Sequence, residues 1–217
     1  MTVNDEINQK GLFGGLMYER RLNKADLLRH INRQWAENEV VSFSDIGEWR
    51  RGGAETYVAT GRLNTEDGRT LDVIGKAFVG TGLPPDRQQE RWEERRQLLH
   101  ASGIATPKVF ATYPALTIEE FIDQPMPPAA ELTPELAFQA GQIAGILAEM
   151  GFWPIAMLGD MRVSGGRVSY VDFGSDLGGA TNQSRYPEWI DKIRQELVGD
   201  SKSEFDFGLG LSGKMAT

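Results

Sequence analysis

Apolar positions along the chain fall first into a helical period and then into strand-length runs. Residues 1–17 carry few periodic apolar positions and include Gly11, Gly14 and Gly15, so they read as a flexible arm. Asn23 then stands as a helix N-cap, and Leu27, Leu28, Ile31 and Trp35 recur at helical spacing with charged residues on the other face. Three extended segments follow. Val40–Trp49 leads through Arg50-Arg51-Gly52-Gly53 into Glu55–Leu63, and the turn Thr65-Glu66-Asp67-Gly68 leads into Leu71–Val79. A charged helix over Asp86–Ala101 ends at Gly103, a residue suited to a C′ position. Lys108–Thr112 and Ala115–Ile122 complete a five-stranded antiparallel pattern with one inserted helix.

The second half reads differently. Pro125, Pro127 and Pro128 mark a boundary, and Thr133-Pro134 is an N-cap followed by proline at N1. The helix Pro134–Met150 places Leu136, Ile143, Ile146, Leu147 and Met150 for burial, and its alanines and glycines permit close packing. Phe152–Val163, the turn Gly165-Gly166 and the apolar strand Arg167–Asp172 come next, then a helix over Pro187–Val198. Residues 199–217 are polar and glycine-bearing and read as a frayed tail. The expected organisation is a flexible arm over 1–22, a first lobe with its preceding helix over 23–122, a reduced second lobe over 123–198, and a flexible tail over 199–217.

Composition narrows the chemistry. The 217 residues are 40% hydrophobic and 25% charged, an ordinary globular balance. The net charge of -8 lacks the basic footprint of a nucleic-acid binder. With no cysteine, disulfides, thiolate metal sites and a cysteine nucleophile are excluded. The two histidines, His30 and His100, both fall in expected helices and read as packed or solvated helix residues. No apolar run is long enough to span a bilayer, and Met1–Lys10 is polar and acidic, unlike a secretory signal. The expectation is a cytoplasmic protein with neither nucleic acid nor membrane as partner, signal-independent export being left open.

The motifs gain meaning from their order: a Gly-rich hairpin, a strand lysine, an acidic helix, an extended connector, a long helix, and a strand ending in Asp-Phe-Gly. In this order Gly52-Gly53-Ala54-Glu55-Thr56-Tyr57-Val58, Val73-Ile74-Gly75-Lys76, Ile118-Glu119-Glu120-Phe121-Ile122-Asp123 and Tyr170-Val171-Asp172-Phe173-Gly174 resemble the protein-kinase-like superfamily, in particular its aminoglycoside-phosphotransferase-like branch and the minimal kinase-like proteins of bacteria and phages. The resemblance runs from about Val40 to Gly179. It implies an α+β, two-lobed kinase-like fold with a five-stranded antiparallel N-lobe and a reduced helical C-lobe.

It also implies ATP and Mg²⁺ as cofactors. Lys76 would offer a fixed cation to the phosphates, oriented by a carboxylate of the following helix. Of Glu90, Glu93 and Glu94, Glu94 is chosen because it lies one turn before Leu98. Gly52 and Gly53 would let backbone approach the phosphates, and the backbone of Glu120 and Ile122 would meet the adenine edge. Asp172 would bind Mg²⁺. The plainer alternatives are an outward strand lysine, a helix laced with Glu–Arg pairs, an ordinary hairpin, and a turn-forming aspartate.

One part of the pattern is missing. Active members of the superfamily carry a catalytic Asp soon after the long helix and an Asn a few residues later. Between Trp153 and Gly159 there is no acid, histidine or asparagine, and Asp160 falls where the metal-binding Asn belongs. Asp160 is therefore either a metal ligand in a domain with no base, or the base itself in a shortened loop. The expected function is an ATP/Mg-binding phosphotransferase-like domain that acts on or binds a protein. The alternatives are a pseudokinase and a nucleotide-free interaction module using the Leu27, Leu28, Ile31 and Trp35 stripe.

Overall fold

A computed structural model of the chain describes residues 11–21, 23–35, 37, 39–154, 156–174, 177–178 and 180–215. It is a mixed α+β protein of two compact units, Met1–Trp92 with Pro107–Phe121, and Glu93–Thr106 with Ile122–Thr217.

The first unit is an antiparallel sheet with helices α1 (Leu12–Arg20) and α2 (Lys24–Gln34) ahead of it. Its strands are β1 (Val40–Asp45), β2 (Arg50–Arg51), β3 (Thr56–Thr65), β4 (Thr70–Phe78), β5 (Val109–Tyr113) and β6 (Leu116–Glu120). The order is β1-β3-β4-β6-β5, with β2 a short addition on β3. Side chains of α2 bond to both edge strands of this sheet. The Asn32 amide donates to the Val40 carbonyl at 3.0 Å and accepts from its N–H at 2.7 Å. The Gln34 amide does the same to Thr112, at 3.1 and 2.7 Å. Val40 and Thr112 lie on β1 and β5, the two ends of the strand order, so one helix satisfies backbone groups that an edge strand otherwise leaves open.

The arm expected over residues 1–22 is not flexible where it is described. Leu12–Arg20 forms α1, and Leu12, Phe13 and Leu16 are fully buried in the sheet's core with Leu27, Ile31, Leu63, Val73 and Ile118. The Asp45 carboxylate accepts from Phe13 N–H at 2.6 Å and Gly14 N–H at 3.2 Å, so a side chain distant in sequence caps the helix. Leu12 sits against Gly75, where any Cβ would lie 2.1 Å from the leucine Cδ1. Residues 1–10 and 22 lie outside the described residues.

The second unit pairs α4 (Pro134–Glu149) with α6 (Asp200–Met215), beside α5 (Ala180–Glu196) and the hairpin β7 (Met161–Ser164) and β8 (Arg167–Tyr170). Thr133 caps α4 as expected, accepting from Leu136 N–H at 3.4 Å. The tail read as frayed is α6. Glycines on both helices allow the backbones to touch: a Cβ on Gly141 would lie 2.1 Å from the Phe205 carbonyl oxygen, and one on Gly208 would lie 2.2 Å from that of Phe138. Phe205 is fully buried, and Ser201 Oγ donates to the Leu132 carbonyl at 2.7 Å. The glycines that read as a fraying signal are the docking surface.

The division between units falls within α3 (Pro85–Ala101). Residues 93–106, expected in the first lobe, belong to the second unit. There Arg95 donates to the Phe173 and Gly174 carbonyls, and Tyr170 N–H donates to the Ala105 carbonyl at 2.9 Å. No helix among the described residues is long and apolar enough to cross a membrane.

Candidate functional site

In the first unit the site is built on β4. This strand lies between β3 and β6, with Lys76 opposite Val58 on one side and Thr117 on the other. Strand alternation puts Ile74, Lys76 and Phe78 on one face, and Val73, Gly75 and Ala77 on the face packed by α1. Lys76 is only 8% exposed. Its ammonium forms an ion pair with the Glu119 carboxylate and lies 4.7 Å from the ring centroid of Trp92, a cation–π arrangement. Trp92 is itself held edge-on against Phe78 at 5.6 Å, and Gln89 of the same helix donates to the Leu116 carbonyl at 2.9 Å.

The carboxylate on Lys76 thus comes from the neighbouring strand and not from the helix, which corrects the assignment to Glu94. Glu94 is exposed on α3. Glu90 pairs with Arg87 at 2.6 Å, and Glu93 pairs with Arg96, both one helical turn apart. Both are the Glu–Arg pairs that a charged helix face makes, the first exposed and the second partly buried. Sequence reading passed over Glu119 because it treated the segment as a backbone contact. The available signal was its phase: Thr117 and Glu119 alternate with Leu116 and Ile118, which puts an acid on the lysine's side of the strand.

The other first-unit candidates are more ordinary. Gly52 N–H donates to the Thr56 carbonyl at 3.0 Å, closing the β2–β3 hairpin, and Gly52 and Gly53 are both exposed. Glu120 N–H is committed to the Lys108 carbonyl at 2.8 Å, so of its two backbone groups this donor is used within the sheet. Ile122 is partly buried and opens the second unit's main segment. The apolar stripe of α2 is inside the core: Leu27 and Ile31 are fully buried and Trp35 nearly so.

In the second unit the β7–β8 hairpin brings the two aspartates to one end. Its last ladder pair is Met161 with Tyr170, and one step beyond it Val171 N–H donates to the Asp160 carbonyl at 2.9 Å. Asp172 follows directly. Asp160 is 9% exposed and accepts from the buried Tyr170 hydroxyl at 3.2 Å. Asp172 accepts from Gly174 N–H at 2.9 Å, the turn bond that an Asp of this kind makes readily. Phe173 is fully buried and meets Tyr170 edge-on at 6.0 Å. Arg95 fixes the backbone of this segment and lies 5.7 Å from the Phe152 ring. Tyr170 and Arg95 were not singled out from sequence. Arg95 could have been, since Trp92, Arg95 and Leu99 share one helical face.

The residues before Asp160 form a turn, with Asp160 N–H on the Ala156 carbonyl at 3.0 Å. Pro154, Ala156, Met157, Leu158 and Gly159 line a cavity of about 330 Å³ with Tyr186, Trp189, Ile190 and Ile193 of α5. Ile155 lies outside the described residues. Among the described residues no cluster of three or more His, Asp or Glu side chains is arranged to hold a metal ion. No protein-family model matches the chain, and no curated protein sequence matches it.

Proposed function

We propose that the chain is a kinase-like domain, two-lobed in the manner of that superfamily, that binds ATP with Mg²⁺ and acts on or docks to another protein. The observation that carries this reading is Lys76, a cation 8% exposed on a central strand and held by a buried carboxylate. Burying an ion pair is often no more stabilising than burying apolar side chains of the same volume, so such a pair calls for a use. A phosphate clamp is one: it needs a positive charge whose position is fixed before the ligand arrives. The order of elements supports the same reading, with a glycine-bearing hairpin before the lysine strand and a helix after it.

Asp160 and Asp172 are the candidate Mg²⁺ ligands. Mg²⁺ is commonly held by one or two carboxylates, with phosphate oxygens and water completing the octahedron, so a pair of aspartates at one hairpin end is a sufficient protein contribution. Transfer is expected to be slow. Asp160 is the only acid between Gly151 and Val163, and a missing general base costs roughly 10²- to 10⁴-fold in rate. The same stretch favours a second reading, a pseudokinase that binds nucleotide without transferring phosphate. The interaction-module alternative loses the α2 stripe, which is buried in its own unit.

Thermal unfolding with ATP, with and without Mg²⁺, tests the proposal. A ligand at 100 times its Kd stabilises the folded state by about 2.7 kcal/mol. A shift that needs both ATP and Mg²⁺ and is lost in Lys76→Met and Asp172→Asn is the expected result. No shift with any nucleotide overturns it. Radiolabelled transfer by wild type and Asp160→Asn then separates the roles of Asp160. Asn still coordinates a metal, so a mild effect marks a ligand and a collapse of turnover marks a base.

A further inference from the structure

We infer that Glu119 is the positioning residue for Lys76, so that the phosphate clamp is assembled within the sheet and does not depend on a helix carboxylate. This rests on the nucleotide reading above. The register carries the argument. Lys76 stands opposite Thr117 and Ile74 opposite Glu119, which makes Glu119 the diagonal neighbour of Lys76 on the same face. Both residues lie inside hydrogen-bonded strands, so the backbone on each side of the pair is fixed by the ladder. The Glu119 side chain is 2% exposed and that of Lys76 10%, so water screens the pair little.

An ammonium has three donor hydrogens. The Glu119 carboxylate, placed by the sheet, sets the direction in which the Lys76 ammonium would meet a phosphate oxygen. The helix acids are placed for other work: Glu90 is on Arg87, Glu93 is on Arg96, and Glu94 is exposed. In protein kinases the lysine pairs with a helix glutamate, and helix position controls whether the pair forms. Here the acid stands on β6 and the helix contributes the Trp92 ring over the ammonium. The clamp is therefore formed before any nucleotide binds and is insensitive to the α3 acids.

Calorimetric titration with ATP and with adenosine, both with Mg²⁺, tests this, because a lysine clamp acts on phosphates and adenosine has none. Wild type is expected to prefer ATP, and Lys76→Met to lose that preference. Glu119→Gln should weaken ATP binding about tenfold, the scale of one charge-assisted hydrogen bond, and leave adenosine within about twofold. A purely structural role for Glu119 would weaken both ligands alike. The triple variant Glu90→Gln, Glu93→Gln, Glu94→Gln should keep the full preference.

Glu119→Asp serves where Glu119→Gln does not fold, since it keeps the charge but withdraws the carboxylate by one methylene. It should lower the preference for ATP, and a preference equal to wild type would overturn the inference. The inference is also overturned if Glu119→Gln retains or strengthens the preference, or if the triple variant loses it. A wild type with no preference overturns the nucleotide reading and this inference together. A preference lost in Lys76→Met but kept in Glu119→Gln overturns this inference alone.

Discussion

The two units hold their charged residues in opposite ways. In the first, Lys76 and Glu119 stand in the interior of paired strands, with backbone hydrogen bonds on both sides and a tryptophan ring over the cation. In the second, Asp160 ends a turn and Asp172 follows the end of a strand, its carboxylate engaged by Gly174 N–H. A charge inside a ladder keeps its position whether or not a ligand is present. A charge on a turn is placed by a few local hydrogen bonds and has no ladder on each side of it. The apolar framework differs too. The first unit fills its core with interlocking aliphatic and aromatic side chains, whereas the second brings two helix backbones together through glycines.

The largest effect that tests this contrast is expected at the ion pair. Lys76→Ala leaves the Glu119 carboxylate buried without its cation and should cost about 3–5 kcal/mol in urea unfolding, whereas the double change Lys76→Met with Glu119→Leu should recover most of that loss. If Lys76→Ala costs no more than a surface substitution, the pair is not held as described. The next effect belongs to the helix contact. Gly208→Val should cost about 3 kcal/mol, because its Cβ meets the Phe138 carbonyl oxygen, which is backbone and cannot rotate away. The readout is the unfolding midpoint together with protease cleavage within α6. An unchanged midpoint with α6 still protected would count against the glycine docking.

The smallest effect compares one buried phenol in each unit. Burial pushes the Tyr113 hydroxyl up to about 12, against a smaller opposing pull from Arg20, and this hydroxyl has no hydrogen-bond partner among the described residues. Burial also raises Tyr186 well above its ordinary value, but its hydroxyl donates to the Ala144 carbonyl at 2.8 Å. Each folded-state pKa lies above the unfolded value of about 10, so the folded chain keeps a proton that the unfolded chain loses. The stability contribution is complete below about pH 10 and is lost as pH rises toward the folded pKa. Tyr113→Phe should flatten part of the fall in the unfolding midpoint between about pH 10 and 12, with little change at pH 7. Tyr186→Phe should also cost about 1 kcal/mol at pH 7, the worth of one hydrogen bond. Equal costs at pH 7 would remove the distinction.

Much of the first unit was legible from residue patterns. Strand alternation, the Thr65–Gly68 turn and the spacing of the charged helix placed β3, β4, β5, β6 and α3 within a few residues of where they are found. Thr133-Pro134 marked the start of α4 to the residue. The ends of the chain were misread for a common physical reason. The fate of a glycine-bearing segment depends on what lies opposite it, and neither Asp45 capping α1 nor Gly141 receiving α6 is near in sequence.

The sequence by itself determined most local elements between the two terminal helices, their order, and the positions of a strand lysine and two aspartates in the second half, because those follow from periodicity and turn chemistry within a few residues. Only the tertiary structure decided which carboxylate meets Lys76, which hydroxyl meets Asp160 and where the two terminal helices dock. An ion pair across strands depends on register, and register is set by the whole sheet. A close helix crossing depends on two glycines more than sixty residues apart finding each other, which no local pattern encodes.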